Sequence, residues 1–556
     1  MDGSLNPYLK RPVYDSSIGE ATQDITRRGF QANVKNLRNI DDISSRDIPS
    51  MHAFPKPGGP NTIVLYEKDG YFTHVPSGSL EATRNPYLTD YPEISLSKEA
   101  LKGSSRDSLQ SVFLVHHDST LKNILVAWRE GGIVQFLEEA LKATEGGKTP
   151  PAVTTILNAT LSLLRWSQSV YRSLSPHKML PLDMMISTFS TTKDWSSSCI
   201  RCIAWHPQCK KIAVGFSDDS VRIYGLQYIV PMLKHRRQKN IGAIAWRYNS
   251  SCDVAIGCQG CVLLWRLDPN TVAAKPSSSF LTVINHPAST GPIVSLSWNP
   301  KTDQLAFGTC TDSTLAVWDT QSEKEFSVPA AGSGGITQLH WSWDGQKLVS
   351  TSPLLPFRIF EFEPILKSAK FCAEAGRVQS IAWSPCNQHM IFADSENPRL
   401  FGLSFGKIEG SFRNFATNPL VIADTAEAAL QGQSGDEFRV GGLVQSIVWS
   451  RNGDRLAVLF KETKCVAIYK VKTKPVLLLE PLGLICGSDD CYPVAVSFQP
   501  SFENGSLLSV AWSVGKVQHI PMFASKEKYY DGLSIESPPF NLYGSSILSP
   551  KLYSQS

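Results

Sequence analysis

The sequence predicts an all-β fold, a seven-bladed β-propeller with an N-terminal helical segment and flexible ends, and three observations carry that expectation. A short alternating apolar stretch ending in an aromatic recurs seven times, at Trp205, Trp246, Trp298, Trp341, Trp383, Trp449 and Phe498. Successive aromatics stand 41, 52, 43, 42, 66 and 49 residues apart, close to the spacing of about 40 to 45 for one four-stranded blade. After polar turn residues each unit continues into further apolar stretches, such as "KIAVGFS" then "SVRIYGL", or "QLAFGTC" then "TLAVWDT". Period-two alternation between turn signals is the signature of strands. A lone unit cannot bury both faces of its sheet; stacked radially, each unit covers its neighbour, and the aromatics are expected to fill the layer between.

The elements follow in chain order. Residues 1–60 are polar, with Pro and Gly near their end, and read as a disordered extension. Residues 61–190 hold a hairpin and a helical segment expected to pack on the propeller. The hairpin is "NTIVLYEKDGYFTHV", turning at Asp69-Gly70, and its Thr62 to Tyr66 strand is assigned to close the ring beside the last unit. Helices are predicted between Leu121 and Leu174, where Ile156, Leu163, Val170 and Leu174 recur at steps of seven and four. Those helices either pack on the propeller or offer a partner a groove. Residues 191–523 form the propeller, and 524–556 a flexible tail rich in Ser, Tyr and Pro. The most apolar run, "PVLLLEPLGLICG", is broken by Glu480 and a second proline and reads as strand and turn.

Apolar residues make up 42% and charged residues 19% of the 556, enough to build a large core. A net charge of +4 is too small over this length to argue for a general binder of nucleic acid or lipid surfaces. The N-terminal "MDGSLNPYLKRPVYDSSIGE" lacks the apolar block of a secretory signal, and no stretch approaches 18 uninterrupted apolar residues. A nuclear or cytosolic protein is expected, with any membrane association running through a partner. Twelve scattered cysteines suit a reducing compartment, where most act as small buried apolar groups. The sequons at Asn158, Asn249 and Asn504 are then chance matches.

Cys199/Cys202 and Cys258/Cys261 have the spacing of zinc-ligand pairs, but one pair lies on a strand and the other brackets a hairpin, so they read as core residues. The Asp218-Asp219 pair reads as a turn cap, and the glycine-rich Ala330 to Thr337 as a loop between blades. No nucleophile elbow, zinc-protease helix or phosphate-cradling loop occurs; no catalytic residue, cofactor, metal or small-molecule substrate is expected. Lys234, Arg236, Arg237 and Lys239 form the densest basic cluster. It reads as a solvated loop, a docking patch for an acidic partner, or a nucleic-acid contact or localisation signal. The absence of interleaved aromatics weakens the last of these.

The third unit, "VINHPASTGPIVSLSWNPKTDQLAFGTCTDSTLAVWDT", resembles a WD repeat, with His286, Asp312 and the Trp318-Asp319 pair. In that family such a His, a turn Asp, a hydroxyl and the Trp form a hydrogen-bonded brace, and the resemblance gives His286 and Asp312 those parts. Asp219 marks the same turn in the first unit. Longer stretches, "DWSSSCIRCIAWHP", "DDSVRIY", "IVPMLKHRRQKNIGAIAW", "LDPNTVAAKPSS" and "FQPSFENGSLLSVAWSVGKVQHIP", are similar to the aladin family of WD-repeat nucleoporins, in order, from about Met51 to Phe523. The first 50 residues and the tail beyond Phe523 depart from the family's pattern, and "MHAFPKPGGP" is an alternative beginning. The resemblance implies a non-catalytic component of the nuclear pore complex, held at the envelope by a membrane-embedded nucleoporin and supporting transport of protein and RNA. It also implies an association with mitotic spindle poles. Two alternatives remain: a WD-repeat adaptor elsewhere, such as a ubiquitin-ligase receptor or cytoskeletal regulator, and an enzyme with its site in the central channel.

Overall fold

The structure, a computed structural model, describes residues 48–59, 62–77, 85–96, 160, 162, 163 and 180–523, apart from short connections inside the last span, the longest at 268–273 and 408–413. Each recurrent unit folds into an antiparallel sheet whose first strand ends at or next to the recurrent aromatic. Those innermost strands are Ile200–Trp205, Ala243–Trp246, Leu296–Trp298, Leu339–Trp341, Val378–Trp383, Val444–Trp449 and Pro493–Gln499, opening blades 1 to 7. The 66-residue interval accommodates an extra hairpin, Ala428–Gln431 with Glu437–Val440, between blades 5 and 6. Alternation puts one set of apolar side chains against each neighbouring sheet, so the core is a series of layers between blades.

An innermost strand is an edge strand, and its outward N–H groups need acceptors. Serines of the preceding blade supply them. Ser295 Oγ accepts from Leu339 N (2.9 Å), Ser297 Oγ from Trp341 N (3.0 Å) and Ser380 Oγ from Ile447 N (2.9 Å). Where the innermost strands end, their turns are bonded from one blade to the next. Gln208 Nε2 donates to Tyr248 O (3.1 Å), Asn249 Nδ2 to Asp303 Oδ1 (3.0 Å), Asn299 Nδ2 to Gly345 O (3.0 Å), Asp344 N to Asn387 Oδ1 (3.3 Å) and Asn452 Nδ2 to Gly505 O. This end is called the lower face below, and the end where the innermost strands begin the upper face.

The ring closes on a strand from far upstream. Blade 7 takes Pro493–Gln499, Gly505–Trp512 and Lys516–Phe523 from the end of the described chain. The outer edge of its third strand is shared by Thr62–Lys68, parallel through Glu67 and Met522, and by Ile94–Ser95, antiparallel through Ile94 and Val517. Thr62–Lys68 returns through the Asp69-Gly70 turn, both residues at positive φ, into Tyr71–Pro76. Arg455 of blade 6 reaches Glu67 from beneath at 3.0 Å, with both side chains buried.

One boundary read from composition moves. Met51 and Phe54 are buried in the layer around blade 6, and Asp424 N donates to Pro49 O (3.0 Å). Residues 48–59 therefore do not belong to a disordered extension; two apolar side chains in a polar segment were enough to anchor it. Gly441, at φ 87°, lies so near Met51 that a Cβ there would stand 2.8 Å from Met51 Cγ. The expected helices between residues 121 and 174 lie outside the described residues, save 160, 162 and 163, which are helical and exposed. A helix not anticipated, α1 (Leu182–Phe189), precedes blade 1. Cys465 and Cys486, cross-strand neighbours in blade 6, are joined as a disulfide, and Cys372 and Cys386 are exposed, so these four depart from the reading of most cysteines as small buried apolar groups. Among the described residues no helix is long and apolar enough to cross a membrane.

Candidate interaction surface

The seven recurrent aromatics sit between blades, each no more than 8% exposed. Four indoles donate backwards to the preceding blade: Trp246 Nε1 to Ala204 O (3.1 Å), Trp298 to Ala245 O (3.2 Å), Trp383 to His340 O (3.2 Å) and Trp205 to Ser509 Oγ of blade 7 (2.8 Å). Trp449 instead bonds Gly453 O in its own turn (3.2 Å), and Trp341 Nε1 has no partner among the described residues. Phe498 fills the equivalent position without a polar handle.

In the third unit, His286 Nε2 lies 3.0 Å from Thr314 O, while the Thr314 amide donates to Asp312 Oδ2 (3.4 Å). The two side chains thus converge on the backbone of one turn, and the half-buried Trp318 follows on the next strand, paired with Leu305. In blade 1 the turn residue Asp219, at φ 57°, binds the Arg201 guanidinium at 2.6 Å. Asp218 accepts from Ser220 N and Oγ (3.0 and 2.6 Å), the geometry of a turn cap. Among the described residues no cluster of His, Cys, Asp or Glu is placed to hold a metal. Burial pushes the Cys202 thiol up to about 12 and raises Cys258 and Cys261 as well, so these sulfurs stay protonated and apolar at neutral pH.

The upper mouth of the channel is filled by residues 182–199. Met185, Ile186 and Phe189 of α1 pack with Trp195 on Val294 and Cys310 of blade 3. Beyond the helix the backbone serves as a hub. Thr192 Oγ1 donates to Arg201 O of blade 1 (2.5 Å), Trp195 Nε1 to Ile241 O beside blade 2 (3.0 Å), and Lys193 N to Val494 O of blade 7 (2.8 Å). Blades 5 and 6 donate to it: Arg377 Nη2 to Thr188 O (2.5 Å), Gln379 Nε2 to Ser190 O (3.4 Å) and Gln445 Nε2 to Ser190 O (2.8 Å). Burial lowers Arg377 to about 10, and its guanidinium lies over the Phe189 ring at 5.1 Å. Lys193, also lowered by burial, donates to Thr463 O (2.8 Å). Sequence reasoning missed this plug because its partners lie between residues 201 and 494; the one local signal was the apolar Met185, Ile186 and Phe189 after a helix-starting proline.

On the rim beside it, Lys234, Arg236, Arg237 and Lys239 are all exposed. Their loop is pinned from within by Gln238, which is buried and donates to Asp219 O (2.9 Å) and Leu233 O (3.0 Å). Arg237 Nη1 bonds Asn285 Oδ1 at 3.1 Å. The result is a pinned loop carrying four exposed cations, one of them held by Asn285.

A Ser–His pair, Ser509 and His519, exists in blade 7 but is built for support. Ser509 Oγ accepts from Trp205 and stands 2.8 Å from His519 Nδ1, whose Nε2 is 3.2 Å from Pro92 O. Ser509 is fully buried, with no space for a substrate.

Residues 182–523, well over half of the chain, match a family model described as the Aladin seven-bladed propeller. The chain belongs to the aladin family. It is 25% identical over 301 residues to Aladin of Arabidopsis thaliana, covering 50% of this chain and 65% of that protein. It is 25% identical over 171 residues to the WD repeat-containing protein AAC3 of Dictyostelium discoideum, covering 28% and 35%. The matches thus span less than two thirds of these curated relatives' own lengths. A chain in a solved structure entitled "Crystal Structure of Mitotic Checkpoint Complex" aligns with 59% of this chain and 96% of its own, at 14% identity and a TM-score of 0.42. The seven units read from the aladin-like sequence are the seven blades.

Buried histidines make the propeller acid-sensitive. Burial lowers His206, His340 and His519 each to about 4. At His206 two hydrogen bonds act in the same direction as burial, since Gln208 N and Cys209 N both donate to Nδ1 (3.0 Å each), which a proton would turn into a donor, while Ser250 O, 3.2 Å from Nε2, opposes them. The unfolded chain protonates these rings near 6.5 and the folded chain only near 4, so their stabilisation is full above 6.5 and is lost as pH falls to 4. Burial raises Asp219 and Asp394, which act in the opposite sense. The expected result is a melting temperature that falls across this window, less steeply in His519→Gln. A flat calorimetric profile would contradict it.

Proposed function

We propose that this protein is a non-catalytic scaffold of the nuclear pore complex that supports nucleocytoplasmic transport of protein and RNA. The observation that carries this reading is the aladin-family match over the whole propeller. Attachment at the nuclear envelope runs through a membrane-embedded nucleoporin, and the same surfaces serve an association with spindle poles in mitosis. A closed ring with its upper mouth filled by its own chain favours holding partners on its outer surfaces over processing a substrate in its channel. The exposed cations Lys234, Arg236, Arg237 and Lys239 on their pinned loop are the docking patch we assign to an acidic partner surface.

Fluorescently tagged full-length protein, imaged in interphase and mitosis, is expected to give a punctate nuclear rim that disappears when membrane-ring nucleoporins are depleted. Reversing the four charges to Glu should lower the rim signal severalfold with an unchanged melting temperature, because exposed rim charges govern association more than folding. A diffuse signal from a tagged protein shown to fold would overturn the pore assignment. A rim signal indifferent to charge reversal would overturn only the docking patch.

A further inference from the structure

Two residues beyond each recurrent aromatic, at the lower mouth, the seven blades carry Pro207, Tyr248, Pro300, Trp343, Pro385, Arg451 and Pro500 in turn. Blades 1, 3, 5 and 7 thus hold proline there, while blades 2, 4 and 6 hold two large aromatics and an arginine. The three large side chains find one another. The Tyr248 and Trp343 rings meet edge to face, centroids 5.9 Å apart, and the Arg451 guanidinium lies 4.0 Å from the centre of the Trp343 ring. Tyr248 and Trp343 are separated by blade 3, and Trp343 and Arg451 by blade 5, so both contacts are made across the ring and not along its rim. The prolines between them leave the space.

Arg451 is exposed as a residue, although partial burial of its guanidinium lowers its pKa from the usual arginine range, and among the described residues that guanidinium makes no hydrogen bond or ion pair. The carboxylates on neighbouring turns are already engaged. Asp253 binds Arg247 (2.8 Å), Asp303 binds Arg247 (3.0 Å) and Asn249 (3.0 Å), Asp454 binds Arg455 (3.4 Å), and Asp344 Oδ1 accepts from Ser342 Oγ (2.5 Å) and Gln346 N (3.1 Å). Lys301, exposed on the blade 3 turn between Tyr248 and Trp343, adds a second cation. Stacking on an indole fixes the plane of a guanidinium while leaving its N–H fork free, the arrangement suited to a planar carboxylate. Trp, Tyr and Arg are also the side chains that dominate binding energy at protein interfaces.

We propose that Tyr248, Trp343 and Arg451 form a binding site for a short acidic segment of a partner protein, whose Asp or Glu carboxylate takes the Arg451 fork while its chain lies on the two rings. Among the described residues neither Arg451 nor Lys301 has a carboxylate partner, and this supplies the charge complementarity. Nucleic acid or an anionic bilayer is the poorer fit, since a polyanion is held by many cations along its track and, among the described residues on the turns that end the innermost strands, two exposed cations are without a carboxylate partner, Lys210 being paired with Asp90. The site lies on the face opposite the Lys234–Lys239 loop, and the inference does not depend on the pore assignment.

The test uses full-length protein in which Lys234, Arg236, Arg237 and Lys239 are changed to Gln, so that the upper rim contributes nothing. Fluorescein-labelled oligoglutamate is titrated by anisotropy at low salt, with oligoglutamine, oligodeoxythymidylate and phosphatidylserine vesicles in parallel. Oligoglutamate is expected to bind and oligoglutamine not. Arg451→Gln should weaken binding at least about tenfold, the loss of one charge-assisted pair. Arg451→Lys should restore only part of it, since an ammonium keeps the charge but not the fork. Because Arg451 makes no hydrogen bond or ion pair among the described residues and loses only its stacking on Trp343, both variants should melt within a few degrees of the parent, and Trp343→Ala serves as a second probe of the ring platform. Oligoglutamate binding unchanged by Arg451→Gln, no binding at all, or Arg451-dependent binding of the oligonucleotide or vesicles in its place would each overturn the proposal.

Discussion

Deleting residues 1–75 should leave a ring that cannot close, while deleting residues 1–50 should leave the propeller folded. The larger deletion removes the Thr62–Lys68 strand from the outer edge of blade 7, uncovering the apolar layer it shares with Met522 and Ile520. It also removes Val64 O, the acceptor for Gln518 Nε2 at 2.7 Å. Most costly is the loss of Glu67. Its carboxylate, 0% exposed, accepts from Arg455 Nη2 at 3.0 and 3.2 Å, and Arg455 is itself 4% exposed. Arg455 then stays buried with only the longer 3.4 Å contact to the Asp454 carboxylate, and breaking a buried pair costs about 3–5 kcal/mol, a large share of the stability of an ordinary domain. Glu67→Ala alone should therefore lower the unfolding free energy by about 3–5 kcal/mol in denaturant titrations. The double variant Glu67→Met/Arg455→Met should recover part of that loss, because a buried ion pair exchanged for apolar residues of similar volume is often neutral, while the buried Asp454 loses Arg455 and keeps only its Ser450 and Ser506 hydroxyls. A Glu67→Ala protein as stable as wild type, or equal folding of the two deletions, would remove this account of closure. The shorter deletion spares Met51 and Phe54, which is why its boundary falls where it does.

The blades were legible because each is a local device. Within about 40 residues an aromatic, a turn and two apolar stretches declare a sheet, and the aromatic that marks the repeat is the side chain buried between blades. Ring closure was legible for a topological reason: an unpaired strand remained at one end of the chain and an unfinished blade at the other. The plug was not legible because its partners are scattered. Ser190 and Thr192 look like linker residues until Gln379 and Gln445 are seen donating to their carbonyls. The same holds for the Cys465–Cys486 disulfide, which depends on the register of two strands in blade 6. The lower cluster was hidden differently. Tyr248, Trp343 and Arg451 occupy equivalent positions in alternate units, a pattern that becomes meaningful only once the units are arranged in a ring.

Trp195→Ala should be the most disruptive single change at the upper mouth. The indole is 0% exposed, packs against Met185, Ile186 and Phe189, and donates to Ile241 O. The Arg201 guanidinium rests on its face at 4.1 Å while holding Asp219. Truncation therefore opens a cavity, leaves a carbonyl short of a donor and removes the platform of an ion pair; the first term alone is about 3–5 kcal/mol. Trp298→Ala, an inter-blade aromatic at 2% exposure, should cost a comparable amount, so stability alone does not separate a plug from a seam. Limited proteolysis does. If residues 182–199 form a plug held by its own contacts, Trp195→Ala should be cleaved there well before the blades open, since segments with fewer buried contacts open locally at lower free energy. Trp298→Ala should instead be cleaved as the ring comes apart, with no early cut at 182–199. The same pattern of fragments from both variants would mean that the segment is not an independently opening unit. An early cut unique to Trp195→Ala would mean that the mouth is closed by a displaceable part of the chain, whose removal leaves Arg377, Gln379 and Gln445 without the carbonyls they serve.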